Sequence, residues 1–288
     1  MATGLGSPSP ADSHGSMRLP PLITLTTDFG TGGGYVAQMK GVLLIRIPDV
    51  RLVDITHDVP PQNVPAAAIV LADTLVHFPD GAVHVGVVDP GVGTDRPILA
   101  GRCRNGFFVG PDNGLFSLCE IQEAVALDQP RYWLADVSRT FHGRDIMAPV
   151  AAALAGGTRL RDLGRPVTHW QTLETPPPDR DGGRLTARVL TSDSFGNLIT
   201  NLTSRDLPGA AIARVPDGAI ARAVVRVAGK PIPLVGCYGE REPGHGVALL
   251  GSSGRLEIAV VNGSAKDRYG ANPPIIIDLA DPDPPRKT

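Results

Sequence analysis

A short apolar run at residues 83–88 ends abruptly at DPGVG, residues 89–93. Such a run is typical of a buried strand, and because proline and two glycines cannot continue a central strand, the backbone must turn there. The turn leaves Asp89 at the end of the strand, with Arg96 a short loop away. Ligands of α/β folds bind at the carboxyl ends of parallel strands, so both are candidate site residues. Alone, the pattern is also typical of a loop ion pair.

Strands and helices alternate through the first half of the chain. Apolar and β-branched runs predict strands at 22–27 and 50–55, and apolar residues at helical spacing predict helices at 35–47 and 64–78. A further alanine-rich helix is predicted at 146–154. Such alternation indicates a mainly parallel sheet covered on both faces. We therefore expect an N-terminal α/β domain with three α/β/α layers.

The character of the sequence changes near residue 166. Residues 166–184 are rich in proline and glycine, which is typical of a linker. Strand-like runs then recur at fairly even intervals, which predicts a small all-β domain with a barrel-like arrangement. The predicted order is a tail, an α/β domain, a linker, an all-β domain and a second tail, at residues 1–18, 19–165, 166–184, 185–280 and 281–288.

The overall composition argues against several classes of protein. Lys and Arg total 27, Asp and Glu total 29, and aromatic residues make up 5% of the chain. Without basic runs or many stacking platforms, no nucleic-acid partner is expected. No apolar stretch has the length of a membrane-spanning helix, and the N-terminal segment lacks the apolar region of a signal peptide. We therefore expect a cytoplasmic protein with no membrane partner.

Cysteine and histidine patterns give no metal signal. The 3 cysteines form no CxxC, and the 7 histidines show no HExxH pairing. Reduced thiols are the default for such a chain. We predict neither a metal nor another cofactor.

Two turns carry groups that could bind a small ligand. DFGTGGG at 28–34 follows a predicted strand, and Asp54 ends the next strand, an arrangement that can hold an anion or a nucleoside at a helix N-terminus. It lacks the last glycine of the dinucleotide fingerprint and the lysine of a P-loop, but loosely fits S-adenosylmethionine methyltransferases. DSFGN at 193–197 offers a carboxylate, an aromatic ring and an amide, which can hold an amine, a flat ring and its polar edge. Each segment alone is also typical of a turn without a ligand.

Seven short motifs follow one another along the chain: TDFGT at 27–31, YVAQMKG at 35–41, VDITH at 53–57, VDPGVG at 88–93, PDNG at 111–114, FHGRD at 141–145 and FGNLITN at 195–201. Together they resemble the S-adenosyl-L-methionine hydroxide adenosyltransferases, adenosine-forming hydrolases related to the fluorinase and the chlorinase. The resemblance spans residues 22–279, and the ordered set is far more specific than any single motif.

The resemblance implies hydrolysis of S-adenosyl-L-methionine to adenosine and L-methionine by attack of water or hydroxide at the ribose C5′, without a cofactor. It also implies a homotrimer whose active sites lie between the α/β domain of one subunit and the all-β domain of its neighbour. The implied catalytic residues are Asp89, Arg96 and His142. The implied substrate contacts are Asp28 for the ribose hydroxyls, Asp193 for the ammonium group, Phe195 and Asn197 for the adenosyl group, and the turns at Ser252, Ser253, Val261 and Asn262 for the carboxylate and adenine.

Two functions of other classes stay open. A methyltransferase would use the glycine-rich turn and Asp54, and a non-catalytic nucleoside-binding protein would keep Asp28 and Asn197 without needing the catalytic set. A halide-forming enzyme is disfavoured, because the halide-forming relatives carry a tyrosine at the position of Asp89. The chain departs from the family pattern at 32–34, where GGG replaces the acidic residue that members often have before the Tyr-Val helix.

Overall fold

The computed structural model describes residues 20–207 and 223–279. The predicted tails, 1–18 and 281–288, lie outside the described residues. The chain forms an N-terminal unit with one seven-stranded sheet and a C-terminal unit with two smaller sheets. An ion pair joins the units, with 3.6 Å between Arg255 Nε and Asp73 Oδ1.

The N-terminal sheet is mixed. Its strands β1 to β7 are Leu22–Thr27, Arg51–Thr56, Ala82–Val87, Ile98–Cys103, Gly106–Pro111, Glu123–Leu127 and Gly164–Val167. They lie in the order β2-β1-β3-β5-β4-β6-β7. The pairings among β2, β1, β3 and β5 are parallel, and those of β5 with β4, β4 with β6 and β6 with β7 are antiparallel.

The prediction of a mainly parallel sheet is therefore wrong. Parallel neighbours need a long crossover connection, whereas a short turn makes consecutive strands antiparallel. Only Arg104 and Asn105 separate β4 from β5, so these strands form a hairpin. Helical crossovers between parallel neighbours precede the hairpin, and the two α-helices that follow it, Ala148–Ala155 and Leu160–Leu163, connect the antiparallel neighbours β6 and β7.

Helices pack against the N-terminal sheet, and the residues at their N-termini fix the ends of the loops that precede them. In the described residues, α1 to α5 are Tyr35–Arg46, Val64–Leu75, Ala148–Ala155, Leu160–Leu163 and Ala265–Tyr269. The loop before α1 ends at Gly34 with φ 70°, in the left-handed region that favours glycine. Asn63 caps α2 by accepting a hydrogen bond from the Ala66 N–H at 3.0 Å. No helix among the described residues is long and apolar enough to cross a bilayer.

Each face of the N-terminal sheet has its own apolar core. Residues of α1 and α3 pack against Ile23 and Val85 on one face, and residues of α2 pack near Leu99 and Phe108 on the other. Between β1 and β5, β3 is buried along its whole length, as expected for a strand covered on both faces. The carboxyl end of β3, where Asp89 follows, is thereby fixed in the interior of the sheet.

The segment 166–184, predicted as a linker, carries strand structure at both ends. Residues 164–167 pair with β6 as β7, and residues 179–181 pair with the four-residue strand at 184–187. C-terminal strands β8 to β16 are Asp179–Asp181, Arg184–Ala187, Val189–Ser192, Leu198–Thr203, Ala223–Val227, Lys230–Ile232, Gly246–Leu250, Arg255–Val260 and Ile275–Leu279. They form two antiparallel sheets, β10-β11-β15-β14 and β13-β12-β16-β9-β8, which share one apolar core.

Candidate active site

The turn after β3 begins at Asp89, is tightly folded, and packs against the segment that precedes His142. The Asp89 carbonyl accepts a hydrogen bond from the Val92 N–H at 3.2 Å. Gly93 has φ 81°, and a Cβ there would lie 2.6 Å from the Arg139 carbonyl oxygen. Only glycine fits this close approach, which packs the turn against the chain that carries His142.

The guanidinium of Arg96 lies between a carboxylate and an imidazole. Its Nε donates to Asp89 Oδ1 at 2.8 Å, and its Nη2 donates to Asp89 Oδ2. The same Nη2 lies 3.2 Å from His142 Nδ1. The Arg96 and Asp89 side chains are only 10% and 5% exposed. The structure thus brings the three predicted catalytic residues into one connected group.

The contact with Arg96 determines which nitrogen of His142 carries a proton. Arginine has only donors, so Nδ1 of His142 must accept, and in the neutral ring the proton lies on Nε2. Burial, and secondly the positive charge of Arg96, lower the pKa of His142 below 6.5. The ring is therefore neutral at neutral pH and presents Nε2–H as a donor.

A cavity of about 360 Å³ opens beside this group. Asp28, Asp89 and His142 line it, together with the aromatic rings of Phe29, Tyr35 and Phe141. The three rings contact one another, with centroids 5.3–5.8 Å apart. The cavity thus combines carboxylates, an imidazole and aromatic rings around a space of the size that small-molecule sites have.

Asp28 is held in place from across the cavity. Its Oδ2 accepts a hydrogen bond from the Gln62 N–H at 2.7 Å. Gln62 itself has φ 61°, an uncommon conformation for a residue other than glycine, and this turns its N–H towards the carboxylate. Oδ1 of Asp28 has no hydrogen-bond partner within residues 20–207 and 223–279 and is free to accept one from a ligand.

The remaining predicted residues belong to the C-terminal unit. Asp193 closes its own turn: Oδ1 accepts from the N–H groups of Phe195 and Asn197 at 2.9 and 2.8 Å, and Oδ2 accepts from Asn197 Nδ2 at 2.9 Å. Gly196 has φ 81°, and a Cβ there would lie 2.2 Å from Ser264 Oγ. This rigid turn projects the Phe195 side chain into solvent, where it is 76% exposed.

A separate cavity of about 890 Å³ collects most of the C-terminal residues that the resemblance implies, namely Asp193, Phe195, Asn197, Ser252 and Asn262. Two further residues that the resemblance implies lie outside this lining. Ser253 lines a cleft of about 830 Å³ between the two units. The Val261 N–H donates to His245 O at 2.9 Å, and the Val261 carbonyl accepts from Gly244 N–H at 2.7 Å and retains a lone pair.

Glu257 is a polar residue of this C-terminal cavity that the sequence analysis missed. Its side chain accepts a hydrogen bond from Tyr238 Oη at 3.0 Å, and burial raises the pKa of its carboxyl group. Burial and this bond raise the pKa of Tyr238 to about 12. The signal in the sequence was one acid within the apolar run LEIAV. Among the residues that the structure describes, no three His, Cys, Asp or Glu side chains are grouped to hold a metal ion.

Two family models match the chain. The N-terminal domain of the SAM hydroxide adenosyltransferases matches residues 23–164, and the C-terminal domain matches residues 187–275. The chain belongs to the SAM hydroxide adenosyltransferase family. The resemblance drawn from the seven motifs is therefore confirmed.

The relatives of this family member include proteins named as hydrolases and proteins named as fluorinases. An (R)-S-adenosyl-L-methionine hydrolase from Salinispora tropica is 42% identical over 264 residues, covering 88% of the chain and 95% of the relative. A fluorinase from an Actinoplanes species is 29% identical over 223 residues, covering 67% of the chain and 75% of the relative. A solved structure of an uncharacterized conserved protein from Thermotoga maritima matches with a TM-score of 0.81 at 30% identity, covering 88% of this chain and 99% of that chain.

Proposed function

We propose that the chain hydrolyses S-adenosyl-L-methionine to adenosine and L-methionine by attack of water or hydroxide at C5′. The connected group of Asp89, Arg96 and His142, in a cavity that also contains Asp28, is the observation that supports this most directly. Relatives covering nearly the same length are named (R)-S-adenosyl-L-methionine hydrolases. We extend the proposal to the R configuration at the sulfonium.

The nucleophile, rather than the leaving group, is the difficult part of this reaction. Methionine leaves as a neutral thioether and needs no acid, whereas bulk water has a pKa of about 15.7. Each Asp89 oxygen accepts one bond from Arg96 and retains a lone pair, so Asp89 can accept the proton of the attacking water. His142 Nδ1 is occupied by Arg96, which leaves Nε2–H to orient the water oxygen. General-base help of this kind contributes roughly 10²–10⁴-fold.

Alignment supplies the rest of the rate. Asp28 would fix the ribose through its hydroxyls, and the rings of Phe29 and Phe141 would exclude water from the cavity. Positioning of reacting groups can contribute roughly 7–11 kcal/mol. In this scheme the reaction needs no cofactor, and its products are L-methionine, adenosine and the one proton that the attacking water gives up.

We also propose that the active site is completed between subunits of a homotrimer. Within one chain, Asp28 and Asp89 line one cavity and Asp193 and Asn197 line another. The exposed Phe195 ring lines the second cavity. An exposed ring of this kind suits stacking on a ligand or packing against a neighbouring subunit. The proposal further includes the three-layer N-terminal domain, the barrel-like C-terminal domain and a cytoplasmic location.

The other functions are less well supported. A methyltransferase would need Asp54 for its ligand, but Asp54 is engaged by Lys40 at 2.5 Å and lies 3.1 Å from His57 Nε2. A purely binding protein would have no use for the buried Asp89–Arg96 pair, since burying two charges costs free energy. Halide transfer is disfavoured because a carboxylate, that of Asp89, lines the cavity in which a halide anion would have to bind.

The deciding experiment is incubation of the protein with S-adenosyl-L-methionine of each sulfonium configuration, followed by separation of the products. Adenosine and methionine in equal amounts, formed faster from the R form, support the proposal. S-adenosylhomocysteine formed with an acceptor would indicate a methyltransferase. Binding without turnover would leave a nucleoside-binding protein, and a 5′-halogenated nucleoside in the presence of chloride or fluoride would indicate a halogenase.

A further inference from the structure

Three polar side chains connect α1 to β2 and to the loop after it. Lys40 Nζ lies 2.5 Å from Asp54 Oδ2, and Asp54 Oδ1 lies 3.1 Å from His57 Nε2. The first contact is a hydrogen bond, and the second has ion-pair distance without hydrogen-bond alignment. Lys40 and Asp54 are about one-third exposed, whereas His57 is buried.

The contacts continue from His57 to the end of β1. Its Nδ1 lies 2.9 Å from Thr27 Oγ1, and both residues are buried. Thr27 Oγ1 in turn lies 3.3 Å from the Phe29 N–H, which donates to it. The His57 carbonyl accepts the Gly30 N–H at 2.8 Å. We call Lys40, Asp54, His57 and Thr27 the Lys40–Thr27 relay.

The chemistry of the groups gives the relay a direction. The Asp54 carboxylate only accepts, so of the two neutral tautomers of His57 the one with its proton on Nε2 suits this neighbour. Nδ1 then accepts the Thr27 hydroxyl proton, and the Thr27 oxygen remains free to accept from Phe29 N–H. The contact of Asp54 with His57 is electrostatic, and the two hydrogen bonds of Thr27 fix the backbone next to Asp28.

The relay acts on the cavity only through other residues. None of its four members lines the 360 Å³ cavity that contains Asp28. Thr27 precedes Asp28 directly, and the loop from Asp28 ends at the start of α1, which carries Lys40. The relay therefore ties both ends of this loop to β2 and leaves the Asp28 side chain to contact Gln62 N–H and a ligand.

We propose that the Lys40–Thr27 relay positions Asp28 against the ribose hydroxyls and so sets the preference of the enzyme for a ribonucleoside over its 2′-deoxy counterpart. The inference rests on the proposed function, in which Asp28 binds the ribose. Thr27 and His57 are positioning residues, since they act through the backbone of 28–30. A carboxylate held in one position binds a hydroxyl at the matching position more strongly than a mobile carboxylate does.

The chain offers a matched control for a buried threonine–histidine hydrogen bond. Thr24 Oγ1 lies 2.8 Å from His84 Nδ1, and both residues are fully buried. This pair joins β1 to β3 three residues before Thr27, and neither residue lines the cavity. Thr24→Val and Thr27→Val remove the same hydroxyl from the same strand at unchanged volume.

The experiment compares kcat/KM for S-adenosyl-L-methionine and its 2′-deoxy analogue. We expect Thr27→Val to reduce the ribose preference about tenfold, the effect of one positioned hydrogen bond. Thr27→Ser, which keeps the hydroxyl, should retain the preference, and so should Thr24→Val. Lys40→Met, at the exposed end of the relay, should reduce the preference in the same direction even if Thr27→Val folds poorly.

A double variant separates positioning from general destabilisation. Asp28→Asn should lower the ribose preference by itself, and adding Thr27→Val should lower it no further, because the two act on one interaction. An unchanged preference in both Thr27→Val and Lys40→Met would refute the proposal, as would an equal loss in Thr24→Val. A wild-type preference in Asp28→Asn would also refute it, since the relay would then have nothing to position.

The same preference can be measured without turnover. Calorimetric titration with adenosine and 2′-deoxyadenosine gives the ratio of their dissociation constants for each variant. If the wild-type protein releases no adenosine from S-adenosyl-L-methionine, the proposed reaction fails. The titration then still tests the relay, because a ratio lowered in Thr27→Val but not in Thr24→Val supports it and equal ratios refute it.

Discussion

Replacing Asp89 with asparagine tests the central pair of the site, because it changes one charge and almost no volume. Arg96 donates two hydrogen bonds to the carboxylate, and both side chains are almost fully buried. An amide can accept only one of these bonds and leaves a buried guanidinium without its counter-charge. Breaking such a pair costs about 3–5 kcal/mol. At roughly 2–4 °C per kcal/mol for a unit of this size, the unfolding midpoint should fall by about 6–20 °C.

The same variant should lose most of its turnover. The amide cannot accept the proton of water, so we expect kcat to fall by roughly 10²–10⁴-fold, measured as adenosine release at a temperature where the variant is folded. Asp162→Asn is the matched control: Arg159 donates Nε and Nη2 bonds of 2.8 and 3.1 Å to Asp162 with the same geometry, but at the surface. The control should keep its midpoint and its kcat. Turnover within tenfold of wild type in Asp89→Asn would refute the assigned role of Asp89.

Three further outcomes follow from the geometry. Burial and Arg96 lower the pKa of His142 below 6.5, so its contact with Arg96 is complete above that pH and is lost as acid protonates Nδ1. An acidic limb of kcat/KM that is due to His142 should therefore lie below pH 6.5, and the profile should shift in His142→Gln. Phe195→Ala should raise KM with little change in kcat, by roughly 5–150-fold if the exposed ring stacks on adenine with about 1–3 kcal/mol. Mixing inactive Asp89→Asn with inactive Asp193→Asn should restore part of the activity after subunit exchange; activity that stays at the level of the separate variants would contradict a site shared between subunits.

Much of the N-terminal fold could be predicted from local pattern. The predicted strand at 22–27 coincides with β1, and the predicted helix at 64–78 contains α2. The prediction of strand direction failed for β4, β6 and β7, because the helical crossovers that connect β1, β2 and β3 do not continue through the hairpin of β4 and β5. The two-residue link between β4 and β5 was visible in the sequence, and a hairpin there was the physically simpler solution.

The sequence predicts which residues are candidates for the site, but not how they contact one another. Motifs named Asp89, Arg96 and His142, yet no spacing along the chain shows that the guanidinium lies between the other two or that it fixes the histidine tautomer. Asp54 illustrates the opposite problem. An acid at a strand end predicts a ligand contact, but its tertiary neighbours Lys40 and His57 already engage it.

The pairing of Asp89 with Arg96 has a consequence for which molecules can enter the cavity. Guanidinium keeps its proton at any physiological pH, whereas the proposed substrate arrives as a sulfonium. Without the carboxylate, a fixed cation would repel an arriving cation; with it, the two protein charges cancel and admit the sulfonium at little electrostatic cost. Asp89 would thus favour binding of the cationic substrate even before it accepts a proton. Adenosine is neutral, so its binding would not depend on this balance of charges.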